Sequence, residues 1–203
     1  MLKDLLIIFT RNPELGQCKT RLAATIGDDA ALKIYKLLLH HTVSVTKDLQ
    51  VDKQVFYSER ISNNDIWNEK YFSKQRQEGK DLGIRMEHAF LSAFAEGYQR
   101  VIIIGSDLYD LQTSDLQEAF AALEDHDYVI GPAMDGGYYL LGMKSINRAL
   151  FVNKSWGTAT VFKETMKQLK EEDVYILTVK NDIDRYEDIK DLSVFKPFIK
   201  QLK

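Results

Sequence analysis

Short apolar runs alternate along this chain with segments of helical periodicity. Six segments have the apolar pattern that is typical of strands: residues 5–9, 51–57, 101–104, 128–130, 137–143 and 174–179. The polar residues 75–78, which end at Gly79, are predicted to form a short seventh strand. Helical spacing predicts a long helix with Asp28 or Asp29 as its N-cap and further helices over residues 63–71, 81–97, 114–123, 158–170 and 184–202. Residues 11–25 are predicted to form a loop. The alternation predicts an α/β fold with a mainly parallel central sheet flanked by helices.

Composition narrows the class of protein. The chain has 203 residues, which predicts a single domain over residues 1–203. A net charge of −3 gives no basic footprint for nucleic acid, so we expect no nucleic-acid partner. The longest purely apolar run has far fewer than the ~18 residues that a membrane span needs. We therefore expect a cytoplasmic protein without a membrane span, and the oligomeric state stays open.

The loop after the first apolar run concentrates positive charge. Arg11, Lys19 and Arg21 share this loop with Gly16. Lysine, arginine and the backbone N–H groups of such a loop can bind a phosphate chain. The loop matches neither a P-loop nor a dinucleotide fingerprint. The two interpretations are therefore a phosphate-binding loop and a solvated basic loop.

Aspartates follow two later strands. Asp107 directly follows the run 101–104, and at the carboxyl end of a buried strand it can bind Mg²⁺ or Mn²⁺. A helix-capping or turn aspartate is the alternative. Asp135 precedes Gly136 and Gly137, which allow close approach of a ligand, although Asp-Gly is also typical of a hairpin turn. Asp184 is most simply a helix N-cap, and a role at the site is the alternative.

Taken together, these loops resemble a known family. The similar segments are residues 9–22, 77–86, 104–107, 131–140 and 155–158, with a looser match at 181–184. They resemble the bacterial radical-SAM/selenodomain-associated transferases, a glycosyltransferase-like family with the nucleotide-diphospho-sugar transferase (GT-A) fold. The Lys-Thr-Arg-Leu loop and the Asp-Gly-Gly block also resemble phospholactate guanylyltransferases. Tyr109 stands where the first family usually has proline.

The resemblance implies a nucleotide laid across the ends of the central strands. It implies catalytic roles for Lys19 and Asp135 and a divalent ion, Mg²⁺ or Mn²⁺, on Asp107 and Asp135. The residues that it implies for nucleotide and phosphate binding are Arg11, Gly16, Lys19, Arg21, Gly79, Asp81, Gly83, Arg85, Ser106, Gly136 and Gly137.

Three functions stay open from the sequence. The favoured one is glycosyl transfer from a nucleotide-diphospho-sugar to an unknown small-molecule acceptor, with Asp135 as general base. The second is nucleotidyl transfer from a nucleoside triphosphate with release of pyrophosphate, in which Asp135 is a second metal ligand. The third is a nucleotide-binding module without turnover.

Overall fold

The computed structural model describes residues 3–199, which are organised around one seven-stranded sheet. The strands are β1 (Asp4–Thr10), β2 (Asp52–Tyr57), β3 (Ser73–Arg76), β4 (Arg100–Gly105), β5 (Tyr128–Pro132), β6 (Tyr138–Met143) and β7 (Val174–Ile176). Their order across the sheet is β3-β2-β1-β4-β6-β5-β7. Every neighbouring pair is parallel except the pairs of β6 with β4 and with β5. The predicted α/β fold with a mainly parallel sheet is confirmed.

Helices cover both faces of the sheet. They are α1 (Thr20–Ile26), α2 (Asp28–Thr46), α3 (Leu82–Ala95), α4 (Thr113–Asp125), α5 (Val161–Gln168) and α6 (Lys196–Ile199). The apolar faces of α2 and α4 pack with Ile102 and Ile104 of β4, whereas α3 packs with Val101 and Ile103 on the opposite face. Because β4 is buried on both faces, its sequence is continuously apolar. None of the helices within residues 3–199 is long and apolar enough to cross a membrane.

Several local predictions were wrong. The second half of the predicted loop 11–25 is helix α1, and Gly27, not Asp28 or Asp29, is the N-cap of α2. Residues 63–71 form bends and turns instead of a helix. Residues 184–199 contain only short 3₁₀ turns and the four-residue α6. Leu202, where the last helix was predicted to end, and the ends of the predicted domain 1–203 lie outside the described residues.

Candidate functional site

The carboxyl ends of β1, β2 and β4 open into a cleft with two lobes. The larger lobe has a volume of about 720 Å³, and the smaller one about 230 Å³. Asp107 lines both lobes and so marks their junction. The larger, polar lobe is lined by charged and polar side chains, among them Arg11, Lys19, Arg21, Gln77, Asp81, Arg85, Ser106 and Asp184. The smaller, apolar lobe is lined among others by Phe9, Leu82, Met86, Asp135, Tyr138, Trp156, Val161 and Asp182.

An ion pair between Lys19 and Asp107 forms the junction of the lobes. Lys19 Nζ lies 2.7 Å from Asp107 Oδ2, and the lysine side chain is only 6% exposed. Burial opposes the charge on Lys19, but the carboxylate outweighs it and raises the pKa of Lys19. Burial would likewise raise the pKa of Asp107, yet the Lys19 ammonium, helped by Arg11, holds that pKa below its ordinary value. Both groups are therefore charged at neutral pH.

The backbone at Lys19 aims its side chain into the cleft. Lys19 has a left-handed conformation with φ of 51°, directly before α1 begins. This conformation is uncommon for a residue with a side chain and costs energy. The Lys19–Asp107 ion pair holds the residue there, and the strain is an observation that favours a functional role for this position.

The other charged residues of the polar lobe are fixed by different contacts. Arg21 Nη1 donates to Asp184 Oδ2 at 2.8 Å, and this pair is exposed. Asp184 is thus an ion-pair partner and not the predicted helix N-cap. Arg85 Nε donates to Gly79 O at 2.9 Å.

Asp81 and Ser106 also line the polar lobe. Asp81 is the N-cap of α3, because its Oδ1 accepts a hydrogen bond from Ile84 N at 3.0 Å. Ser106 Oγ donates to Thr10 Oγ1 at 3.1 Å and lies 3.3 Å from the hydroxyl of Tyr35. These bonds leave both residues at the lining but constrain their rotation.

The predicted glycines are distributed unevenly. Gly137 lines the apolar lobe, whereas Gly16, Gly79, Gly83 and Gly136 line neither lobe. The structure gives Gly83 a packing role: a Cβ there would lie 2.5 Å from Trp156 Nε1 and would collide with the carbonyl oxygen of Phe151. Gly83 therefore lets the Trp156 indole pack closely against the start of α3.

Asp135 lies in a hairpin turn and also faces the apolar lobe. β5 and β6 are antiparallel neighbours, and the turn between them spans residues 133–137. Asp135 Oδ1 accepts a hydrogen bond from Gly137 N at 2.8 Å. The hairpin alternative is thus correct as a description of the backbone, and the carboxylate is still at the lining of the lobe.

Asp182 is a site residue that sequence reasoning missed. It lines the apolar lobe with Asp107 and Asp135. Burial, together with the negative charges of Asp135 and Asp107, raises the pKa of Asp182 to about 6. Its only signal in the sequence is its position in the 181–184 segment, in which Asp184 was the predicted helix N-cap and Asp182 was given no role.

The carboxylates Asp107, Asp135 and Asp182 provide the hard oxygen ligands that Mg²⁺ and Mn²⁺ prefer. Their mutual repulsion, seen in the raised pKa of Asp182, is what a divalent cation would relieve. Within residues 3–199, no three acidic, histidine or cysteine side chains are close enough to enclose a metal ion by themselves. The donor set therefore fits an ion that takes further ligands from phosphate and water.

Comparison with known proteins identifies a protein family and a similar solved structure. The profile of a family described as "Uncharacterized protein conserved in bacteria (DUF2064)" matches residues 41–158. A structure from Desulfovibrio desulfuricans G20, described as a putative nucleotide-diphospho-sugar transferase, is similar with 29% identity and a TM-score of 0.86. That match covers 100% of this chain and 99% of the other. No curated protein sequence matches.

More distant structures share the fold. One is described as a nucleotidyl transferase from Methanothermobacter thermautotroptrophicus. It has a TM-score of 0.64 at 12% identity, and the match covers 98% of this chain and 99% of the other. A cytidylyltransferase from Leptospira borgpetersenii has a TM-score of 0.58 at 14% identity, with 100% and 94% covered. The fold is that of nucleotide-diphospho-sugar transferases and nucleotidyltransferases.

Proposed function

The chain belongs to the DUF2064 family, and on that premise we propose that it is a metal-dependent transferase that transfers a glycosyl group from a nucleotide-diphospho-sugar. The observation that supports this most is the Lys19–Asp107 pair at the junction of the two lobes. The polar lobe supplies cations to the junction, with carboxylates among them, whereas the charged side chains that line the apolar lobe within residues 3–199 are all carboxylates. A diphosphate binds to cations, whereas a divalent ion and a general base both require carboxylates.

The polar lobe is the proposed nucleotide site. Arg11, Lys19 and Arg21 would neutralise the phosphates, and Asp81, Ser106 and Arg85 would contact the ribose or base. A volume of about 720 Å³ lies within the range of ligand sites, which is ~300–1,000 Å³. The likeness to the Desulfovibrio protein, with its sugar-transferase description, supports the same assignment.

A divalent ion would be held by Asp107, with Asp182 beside it, together with phosphate oxygens of the donor and water molecules. Its chemistry is to stabilise negative charge on the leaving diphosphate. The protein's own residues do the rest: Lys19 binds a phosphate oxygen, and Asp135 accepts the proton of the acceptor. The association with radical-SAM proteins and the cytoplasmic location stay predictions.

Nucleotidyl transfer is the second candidate. Arg11, Lys19 and Arg21 lie within eleven residues of one another, and three cations on one segment would suit a triphosphate. The two reactions differ in their product, since glycosyl transfer releases a nucleoside diphosphate and nucleotidyl transfer releases pyrophosphate. A module without turnover would bind nucleotide and release neither.

The test is a binding and product assay on the purified chain. Nucleoside triphosphates, nucleoside diphosphates and diphosphate sugars are titrated with and without Mg²⁺ or Mn²⁺, and thermal shift selects a ligand. A ligand at 100 times its Kd adds about 2.7 kcal/mol of stability. Chromatography of the released phosphates then distinguishes the two reactions.

A matched pair of lysine variants makes the assay specific. Lys19→Met should abolish the metal-dependent shift, whereas Lys47→Met, at the end of α2 outside both lobes, should leave it intact. If no nucleotide shifts the protein, or if both variants respond equally, the proposed nucleotide site is wrong.

A further inference from the structure

The two lobes differ sharply in charge. The charged side chains that line the polar lobe are of both signs: the cations Arg11, Lys19, Arg21 and Arg85 and the carboxylates Glu59, Asp81, Asp107 and Asp184. Among the described residues that line the apolar lobe there is no lysine, arginine or histidine. The cation closest to it in the site, Lys19, is paired with Asp107 at 2.7 Å. A phosphate or carboxylate in the apolar lobe would therefore meet carboxylates and apolar side chains with no positive side chain as a partner, and the divalent ion at Asp107 is already bound to the donor phosphates, so this arrangement is costly.

A buried hydroxyl without a partner lies at the same lobe. Tyr138 lines the lobe, and its Oη is buried and forms no hydrogen bond with any of the described residues. An unsatisfied buried hydroxyl costs about 1–3 kcal/mol. The neighbouring Tyr139 shows the ordinary solution, since its hydroxyl donates to Thr178 O at 3.1 Å. The Tyr138 hydroxyl is thus a donor for which residues 3–199 provide no acceptor.

The shape of the lobe limits what it can hold. Trp156 and Tyr138 meet edge to face with ring centroids 6.5 Å apart, and Leu82, Met86 and Val161 complete an apolar wall. A dry apolar cavity of about 150 Å³ is enough to bind benzene. A volume of about 230 Å³ therefore holds one six-membered ring with a short substituent.

We propose that the apolar lobe is the acceptor site, and that it selects an uncharged or positively charged molecule with a flat apolar body, a hydroxyl or amine nucleophile, and an acceptor atom for the Tyr138 hydroxyl. This rests on the proposed function, because it needs the nucleotide to occupy the polar lobe. The consequence is specific: acceptors whose nucleophile is a phosphate are disfavoured.

The transfer balances with these residues. The acceptor oxygen forms a bond to the anomeric carbon, and the bond between that carbon and the phosphate oxygen breaks. The electron pair of that bond leaves with the nucleoside diphosphate, and the acceptor proton passes to Asp135. Tyr138 binds and orients the acceptor and takes no part in this proton transfer.

The experiment compares three probes that share a benzyl group and differ in their polar substituent and its charge. Benzyl alcohol, benzylamine and benzyl phosphate are titrated against the protein, and quenching of tryptophan fluorescence is measured. A Trp156→Phe variant identifies the indole that responds, because Trp67 is buried elsewhere. We expect the alcohol and the amine to bind at least tenfold more tightly than the phosphate.

Two neighbouring tyrosines supply the matched variants. Tyr138→Phe should weaken the alcohol and the amine at least threefold while raising the midpoint of urea unfolding, because it removes an unsatisfied group. Tyr139→Phe should lower that midpoint and leave probe affinity unchanged. Thr158→Lys places a cation at the lining of the lobe and should improve binding of benzyl phosphate.

The outcomes separate the two proposals. The acceptor assignment is overturned if benzyl phosphate binds as tightly as the alcohol, if none of the probes binds, or if Tyr138→Phe leaves affinity unchanged. Failure of the proposed function is seen separately, in the nucleotide titration of the polar lobe. If the probes bind selectively but no nucleotide binds, the charge preference of the apolar lobe is supported and the proposed transferase function is refuted.

Discussion

Replacing Gly83 by alanine tests whether this residue serves packing or nucleotide binding. In a helix, Gly→Ala ordinarily stabilises a protein by up to ~1 kcal/mol. Here the new Cβ would lie 2.5 Å from Trp156 Nε1 and would collide with Phe151 O. Overpacking of this kind costs about 1–3 kcal/mol, and a backbone carbonyl cannot easily move away. Since Gly83 lies in the first turn of α3, the helical gain is small, and we expect a net loss of about 2 kcal/mol.

The assay is urea unfolding followed by circular dichroism, supported by thermal melting. A loss of about 2 kcal/mol corresponds to a fall in Tm of about 4–8 °C for a chain of this size. Leu82→Ala is the control, because Leu82 is exposed next to Gly83. Combining Gly83→Ala with Trp156→Ala should recover part of the loss, since one of the two colliding groups is then gone.

Ligand binding distinguishes the two roles of Gly83. If the substitution pushes the Trp156 indole into the apolar lobe, affinity for benzyl alcohol falls and nucleotide affinity does not. A variant that is as stable as the parent or more stable would refute the packing argument. A variant that is as stable as the parent but has lost nucleotide binding would support the nucleotide-binding role of Gly83 that the sequence resemblance implied.

Three further substitutions test the charges of the cleft. The pKa of Asp182 is raised from 3.8 to about 6, so the folded protein binds this proton more tightly than the unfolded chain does. The free energy of unfolding should therefore fall as the pH rises from about 4 to 6. Asp182→Asn should make this pH dependence weaker in urea unfolding. Lys19→Met should lower the free energy of unfolding by about 1–3 kcal/mol in the same assay, because Asp107 loses its partner. The same substitution should weaken nucleotide binding at least tenfold in calorimetric titration. An unchanged nucleotide affinity would show that Lys19 does not bind phosphate. Arg21→Gln should change stability by less than about 1 kcal/mol, since its pair with Asp184 is exposed, yet should weaken nucleotide binding; a large loss of stability would contradict this view of the pair.

The strands could be predicted from the sequence because their signal is local. A strand buried on both faces is a continuous apolar run, as residues 101–104 show. The positions of Arg11, Lys19, Arg21 and Asp107 at one edge followed from the same pattern, because carboxyl ends of parallel strands share an edge. Which lobe each side chain lines required the three-dimensional structure.

Helix α1 could not be predicted because its stability is not local. Seven residues are too few for an isolated helix to be stable in water. Leu22 and Ile26 are buried against Ile34 and Leu38 of α2 and against the C-terminal segment through Phe195. These partners are up to about 170 residues away in sequence, so no window around the loop contains the information.

Residues 63–71 illustrate the opposite error. Their spacing is compatible with a helix, but Asp65 binds groups outside the segment: Tyr57 Oη donates to it at 2.6 Å and Lys74 Nζ lies 3.0 Å away. Trp67 N also donates to Asp65 Oδ1 at 3.0 Å, which fixes a turn. Side-chain bonds to the backbone compete with helix formation, and here Asp65 also binds Tyr57 and Lys74, which both lie outside the segment.

Tyr109 shows how packing can replace a conformational restraint. Where the resembled family usually has proline, the Tyr109 ring lies 5.0 Å from the His41 ring and 5.2 Å from that of Phe195. Proline would limit the loop after β4 through its fixed φ, whereas tyrosine holds it by contact with α2 on one side and the C-terminal segment on the other. Because that segment also includes Asp182, the same aromatic contacts join the loop that carries Asp107 to the segment that carries Asp182. A substitution at this position therefore affects the geometry of the site through the C-terminal segment, which a reading of the loop alone does not reveal.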